Sequence, residues 1–287
     1  MSRSRRVALA LAAVYVVWGS TYLAMRFGLE GFPPFFLSAA RFLTVGVLLL
    51  GILAARGTPL PDRRQWLAAA PVGLLLFVVG NGFVSMAQVH IGSGVAAVVV
   101  ATMPLWMAIM AAATGERPGG REWAGIAIGV AAVTLLSMGD DLRADPVATL
   151  FLLGAPIGWS LGSLIARRAP AGPGGLLAVA GAQQLCGGVG ALLVGLAHGE
   201  HMTAMPGARP LAAVAYMVLI GSLLTFTAYL WLLRNTRPSV ATSYAFVNPV
   251  LAVFLGVLFA GEPLRWQTLV ATPIVVVAVA LVVSVAD

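Results

Sequence analysis

The 287-residue chain has no lysine, one cysteine and few charges of either sign, only 9% of its side chains. A lone thiol, Cys186, closes no disulfide within the chain. With no His-Glu-x-x-His, no metal site is expected, and no cofactor motif stands out. The shortage of charge excludes more. A soluble domain carries roughly 25% charged residues, so this polar share cannot coat a water-soluble globule, and a soluble enzyme is ruled out. The net charge of +7 comes from 17 arginines spread thinly between apolar runs, so no nucleic-acid partner is expected.

What is present in quantity is apolar: 60% hydrophobic residues and 33 glycines besides. A helix crosses the roughly 30 Å hydrocarbon core with about 20 residues. Runs of that order predict spans at 7–27, 34–55, 65–88, 92–114, 123–138, 147–167, 174–198, 210–234, 239–260 and 266–285. A β-barrel would alternate polar and apolar residues, and stretches such as Val95 to Val100 do not. The reading is an all-α membrane protein. A signal-peptide h-region spans about 7–15 residues, whereas the first run continues to Phe27 and is expected to stay as a span. Arginine marks cytoplasmic loops. With the N-terminus inside, Arg3, Arg5, Arg6, Arg56, Arg63, Arg64, Arg117, Arg121, Arg167, Arg168, Arg234 and Arg237 are cytoplasmic. Arg143, Arg209 and Arg265, with the acidic Asp140, Asp141 and Asp145, fall outside. Both termini are therefore expected in the cytoplasm of a bacterial inner-membrane protein.

The chain also repeats itself at an offset of 141–146 residues. Trp18, Tyr22 and Arg26 match Trp159, Ser163 and Arg167; Gly94-Val95-Ala96 matches Ser239-Val240-Ala241. Pro104 matches Pro249, and Gly115-Glu116 matches Gly261-Glu262. Five spans are an odd number, so the second copy enters the membrane inverted. Such repeats mark secondary transporters with a site between the copies. Trp18-Gly19-Ser20-Thr21-Tyr22, Pro33-Pro34 before Ala40-Arg41-Phe42, and Pro104 before Gly115-Glu116 are echoed by Asn248-Pro249 and Gly261-Glu262. In these features the whole chain resembles the EamA family of the drug/metabolite transporter superfamily. The resemblance implies ten transmembrane helices in two inverted five-helix repeats, 1–139 and 146–287, around a central cavity, with helices 5 and 10 peripheral. It further implies export of small metabolites, often amino acids.

Polar groups inside spans are expected to face a cavity or another helix. In the third span Asn81, Ser85 and Gln88 share one helical face. Trp18 and Tyr22 form a stripe on the first, joined by Thr102 and Trp106 on the fourth and Trp159 and Ser163 on the sixth. Gln184, then Thr225 and Tyr229, then Tyr244 and Asn248 are the candidates on the seventh, eighth and ninth spans. Structural interhelical bonding is the alternative for each. Arg41 lies about seven residues into its span, roughly 10 Å deep. It is open to three readings: a receptor for a substrate carboxylate, a snorkelling residue, or a partner of Glu30. Pro104 and Pro249 are expected to kink their helices at the carbonyls of Val100 and Ala245, as hinges or as static bends.

Glu30, Glu116 and Glu262 all fall at span ends, so carboxylate-coupled antiport of cations, known in small multidrug pumps of that superfamily, is disfavoured. The path is expected to be nearly neutral and to suit a neutral or zwitterionic small-molecule substrate, amino acids first, apolar or aromatic ones in particular. A multidrug transporter or a flippase for lipid-linked molecules is the alternative. Gly158-Trp159-Ser160-Leu161-Gly162 spells a nucleophile motif, but mid-helix and with no histidine at depth. An intramembrane enzyme is the weakest reading. Membrane lipid is the surrounding partner, and the chain is expected to be a monomer or weak homodimer.

Overall fold

The computed structural model describes residues 3–113, 119–137, 145–169, 172, 174–236, 240–241 and 243–284. Expectations placed on Gly115, Glu116, Arg117, Met138, Asp140, Asp141, Arg143, Arg237 and Ser239 lie outside these residues. Among the described residues there is no strand, and ten helical spans follow one another. They are α1 (Arg3–Gly28), α2 (Pro34–Ala55), α3 (Arg63–Ala87), α4, α5 (Gly120–Ser137), α6 (Pro146–Arg168), α7 (Gly175–Ala197), α8 (Ala208–Asn235), α9 and α10 (Trp266–Ser284). Span α4 is split into α4a (Ser93–Val100) and α4b (Met103–Ala113), and α9 into a 3₁₀ turn (Ser243–Phe246) and a helix (Asn248–Ala260). Eight spans are long and apolar enough to cross a membrane, while α5 and α10 carry shorter apolar stretches, Trp123–Ala132 and Trp266–Ala278.

Two regularities depart from ten plain helices. Both α3 and α8 contain a π-helical segment, Leu74–Gly82 and Met217–Leu224, at matched places in the two halves. The prolines do not sit inside continuous helices as expected. Pro104 is the second residue of α4b and Pro249 the second residue of the α9 helix, where a missing N–H is not needed. The helix breaks just before each of them, and i→i+3 turns bridge the gap: Thr102 N–H donates to the Val99 carbonyl at 3.1 Å, and Val247 N–H to that of Tyr244 at 3.0 Å.

The packing is reciprocal. Helix α1 lies against α8 and α9 as α6 lies against α3 and α4, while α2 pairs with α7, α4 with α9 and α5 with α10. This is what two copies related by a pseudo-twofold would give. The glycines of the Ser160 motif serve this packing: a Cβ on Gly162 would stand 2.8 Å from the Leu76 side chain and 3.0 Å from that of Leu75. Ser160 itself donates to the Met103 carbonyl at 2.9 Å.

Carboxylates of the second half close helix starts of the first. Glu200 accepts from the N–H groups of Phe35 and Phe36 at 3.0 and 2.9 Å, at the start of α2. Glu262 follows Gly261, whose φ of 63° ends α9, and accepts from Ser93 and Gly94 N–H at 2.7 and 3.1 Å. A negative charge at a helix N-terminus is favourable. Glu262→Gln, which keeps the shape and removes the charge, is expected to cost about 1–2 kcal/mol of stability. Its thermal midpoint in detergent should fall, and an unchanged midpoint would refute the role.

Candidate functional site

A small cavity, with about 60 Å³ of room, lies where α1, α2, α3, α4, α6, α8 and α9 meet. Neither α5 nor α10 contributes to its lining.

Arg41 is the charged residue of the cavity and is only 6% exposed. Its Nε donates to Ser222 Oγ at 2.7 Å, and its Nη1 to Asn81 Oδ1 at 3.4 Å. Of the three readings of Arg41, snorkelling and pairing with Glu30 are both overturned. The guanidinium turns inward to polar partners on α3 and α8, and Glu30 is held 3.2 Å from Arg209 instead. The two partners stand at equivalent places in the repeat, Gly80-Asn81 and Gly221-Ser222, each within or beside a π segment. The π register makes the arrangement possible. Asn81 Nδ2 reaches the carbonyl of Leu76, five residues back, at 3.2 Å, leaving its oxygen for the arginine.

Aromatic rings form the rest of the wall. Trp18 donates its indole N–H to the Gly221 carbonyl at 2.9 Å, joining the two halves. Its ring meets Trp159 edge-on at 5.5 Å and Tyr244 at 5.0 Å between centroids. Phe42, Phe77 and Phe226 line the same space.

Of the candidates named from the sequence, Trp18, Tyr22, Arg41, Asn81, Trp159, Tyr244 and Asn248 line the cavity. The others do not. Tyr229 packs behind the aromatic wall, 4.9 Å from Trp18, and shares a 2.8 Å hydrogen bond with Ser163. Thr102 and Thr225 bond back to their own helices, at Val99 and Ile220. Trp106 stays outside the lining. The single polar face of α3 is also broken up: Ser85 turns to Ser38 at 3.3 Å, and Gln88 is fully buried with no side-chain partner among the described residues. The α3 residues at the cavity are Phe77, Gly80, Asn81 and Val84, one helical face, and Gln88 lies past them at the end of the helix. Gln184, the match to Arg41 in the second half, is buried with no side-chain partner among the described residues. Symmetry fails at the one charge.

Residues overlooked in the sequence include Thr21, Ser222 and Phe226. One available signal pointed to Ser222: it lies 141 residues after Asn81, within the offset that relates the halves.

Comparison with known proteins agrees with this architecture. The sequence pattern of the EamA-like transporter family matches residues 5–138 and 147–284. The inner membrane transporter YedA of Escherichia coli (strain K12) is 42% identical over 274 residues, which are 95% of this chain and 89% of that one. The transporter YvbV of Bacillus subtilis (strain 168) is 24% identical, over 96% and 91% of the two chains. A protein of known crystal structure superposes with a TM-score of 0.69 at 20% identity, over 98% of this chain and 96% of that one, which speaks for the fold.

Proposed function

The chain belongs to the EamA-like transporter family, and from that premise we propose that it exports small carboxylate-bearing metabolites, amino acids with apolar or aromatic side chains first among them, by alternating access. The observation that carries this reading is that matched residues of both halves, Trp18 with Trp159 and Asn81 with Ser222, line one cavity beside a buried arginine. A site at the interface of inverted repeats is where a secondary transporter holds its cargo. Arg41 receives the carboxylate and the aromatic wall takes the side chain. The breaks before Pro104 and Pro249 are the hinges, since a helix without its i→i−4 bonds bends at little cost. We place the protein in the inner membrane with both termini cytoplasmic, on the arginine distribution and on its likeness to YedA, and we take 1–139 and 146–287 as the two repeats.

The test is movement of a mixed amino-acid pool by purified protein in liposomes. No member moving faster than in empty liposomes would sink the proposal, and movement of lipid-linked probes alone would replace it with the flippase reading. Two substitutions separate transport from folding. Asn81→Ala removes an acceptor from Arg41 and should cut transport about tenfold with folded protein retained, by the loss of a hydrogen bond to a charged group. Gln88→Ala, outside the cavity lining, should change the folded yield rather than the rate per folded molecule. Equal behaviour of the two variants would mean that Asn81 is structural.

A further inference from the structure

The cavity holds a permanent positive charge that no acid among the described residues neutralises, and we propose that what it recognises is an organic anion: a carboxylate on an apolar or aromatic body, with the amine of an amino acid neither needed nor welcome. The inference rests on the transporter reading above and departs from it in one respect: among carboxylate-bearing metabolites it puts those without an amine ahead of amino acids.

The first support is the state of Arg41. A guanidinium carries five N–H donors. Here Nε and Nη1 reach the neutral oxygens of Ser222 and Asn81, and Nη1 also lies 3.8 Å from the Met217 sulfur. Nη2 has no protein partner among the described residues. The carboxylates of Glu30 and Asp145 lie elsewhere, beside Arg209 and His90. Neutral acceptors orient the group without cancelling its charge, and a buried charge without a counter-charge is strongly unfavourable. The Phe42 ring, 4.8 Å from the guanidinium carbon, compensates in part. An arriving carboxylate supplies the missing charge and can take the guanidinium in a charge-assisted pair.

The second support is where the guanidinium sits. Arg41 and Gly221 both line the cavity, and Gly221 packs so closely that a Cβ on it would meet Thr21 Cγ2 at 3.0 Å and Nη2 at 3.2 Å. Any side chain at 221 would crowd the guanidinium at the cavity wall. The third is what the wall lacks. Its described lining has no aspartate or glutamate, and the oxygens of Asn81 and Ser222 are already turned to Arg41. An ammonium entering with its carboxylate would be stripped of water with no anionic partner and would sit in the field of a fixed cation. The zwitterionic cargo expected from the charge count is thus the poorer fit.

The experiment uses the full chain with three probes of one shape: N-acetyl-L-phenylalanine as the anion, L-phenylalanine as the zwitterion and L-phenylalaninamide as the cation. Binding is read as the ligand-induced rise in thermal midpoint in detergent, and transport as efflux from liposomes. The anion should bind most tightly and leave fastest, with the amide last. Arg41→Gln should weaken the anion about ten- to hundredfold, as loss of a charge-assisted contact does, and Arg41→Lys should restore part of it. Should Arg41→Gln not fold, Ser222→Ala keeps the charge and frees its Nε. It should raise KM for the anion by a larger factor than for the amide, and equal factors would overturn the inference. Phenylalanine moving while its N-acetyl form neither binds nor moves would overturn the inference and leave the amino-acid proposal standing. None of the three binding or moving would overturn both.

Discussion

Leucine in place of Gly46 is expected to leave little folded protein. Gly46 faces α7 at a close approach of the α2–α7 pair, where a Cβ would lie 2.7 Å from the Leu185 Cβ and 2.8 Å from its Cα and N. Backbone cannot swing aside as a side chain can. The contact is tight from the other helix too: a Cβ on Gly188 would be 2.5 Å from the Leu43 nitrogen. In lipid no hydrophobic force draws helices together, and small residues at the contact allow the dispersion that does. Prising α2 from α7 forfeits packing along a whole pair on the pseudo-twofold, which places the cost above the about 1–3 kcal/mol of ordinary overpacking. Set against a total stability of about 5–15 kcal/mol, such a loss should appear as a collapsed yield of monodisperse protein and a much lower thermal midpoint. Gly51 supplies the control. It lies on the same helix with nothing within 4 Å of a Cβ, so Gly51→Leu should match the wild type. Equal behaviour of the two variants would show that the α2–α7 contact does not hold the fold.

The spans were legible because their physics is one of length and composition. The expected 34–55 coincides with Pro34–Ala55, since a proline pair opens that helix and Arg56-Gly57 closes it. The breaks in α4 and α9 were legible only as prolines; that each helix restarts there, rather than bending through, depends on tertiary packing. The site was less legible for a specific reason. Reading faces from a regular 100° step put Ser85 and Gln88 beside Asn81, and put Thr225 and Tyr229 at the cavity. The cavity takes only part of each face: Phe77, Gly80, Asn81 and Val84 line it on α3 and Gly221, Ser222 and Phe226 on α8, while Gln88 sits at the helix end and Thr225 bonds back to Ile220. Arg41 was undecidable for another reason: Ser222, which holds its Nε, is 181 residues away in the other half. The repeat offset carries that information where the periodicity does not.

Trp18 is the second position where a large effect is expected, and its two variants should separate fold from transport. The indole packs against Trp159, Tyr229 and Tyr244 and is 7% exposed. Trp18→Ala should cost about 3–5 kcal/mol, as removal of a large buried ring does, and leave little folded protein. Trp18→Phe keeps most of the ring and loses the N–H that reaches the Gly221 carbonyl. Loss of that one hydrogen bond costs about 0.5–1.5 kcal/mol, which the protein survives. Gly221, however, stands beside Arg41 Nη2 and next to Ser222, so freeing its carbonyl loosens the segment that aims the guanidinium. Trp18→Phe is therefore expected to fold with a slightly lower thermal midpoint and to transport about tenfold less, since about 1.4 kcal/mol lost in the barrier is a factor of ten. Trp159→Phe supplies the comparison, because the Trp159 indole N–H holds no backbone carbonyl among the described residues. Its rate should fall less than that of Trp18→Phe. Equal losses would mean that the rings, and not the bond from Trp18 to Gly221, set the geometry of the cavity.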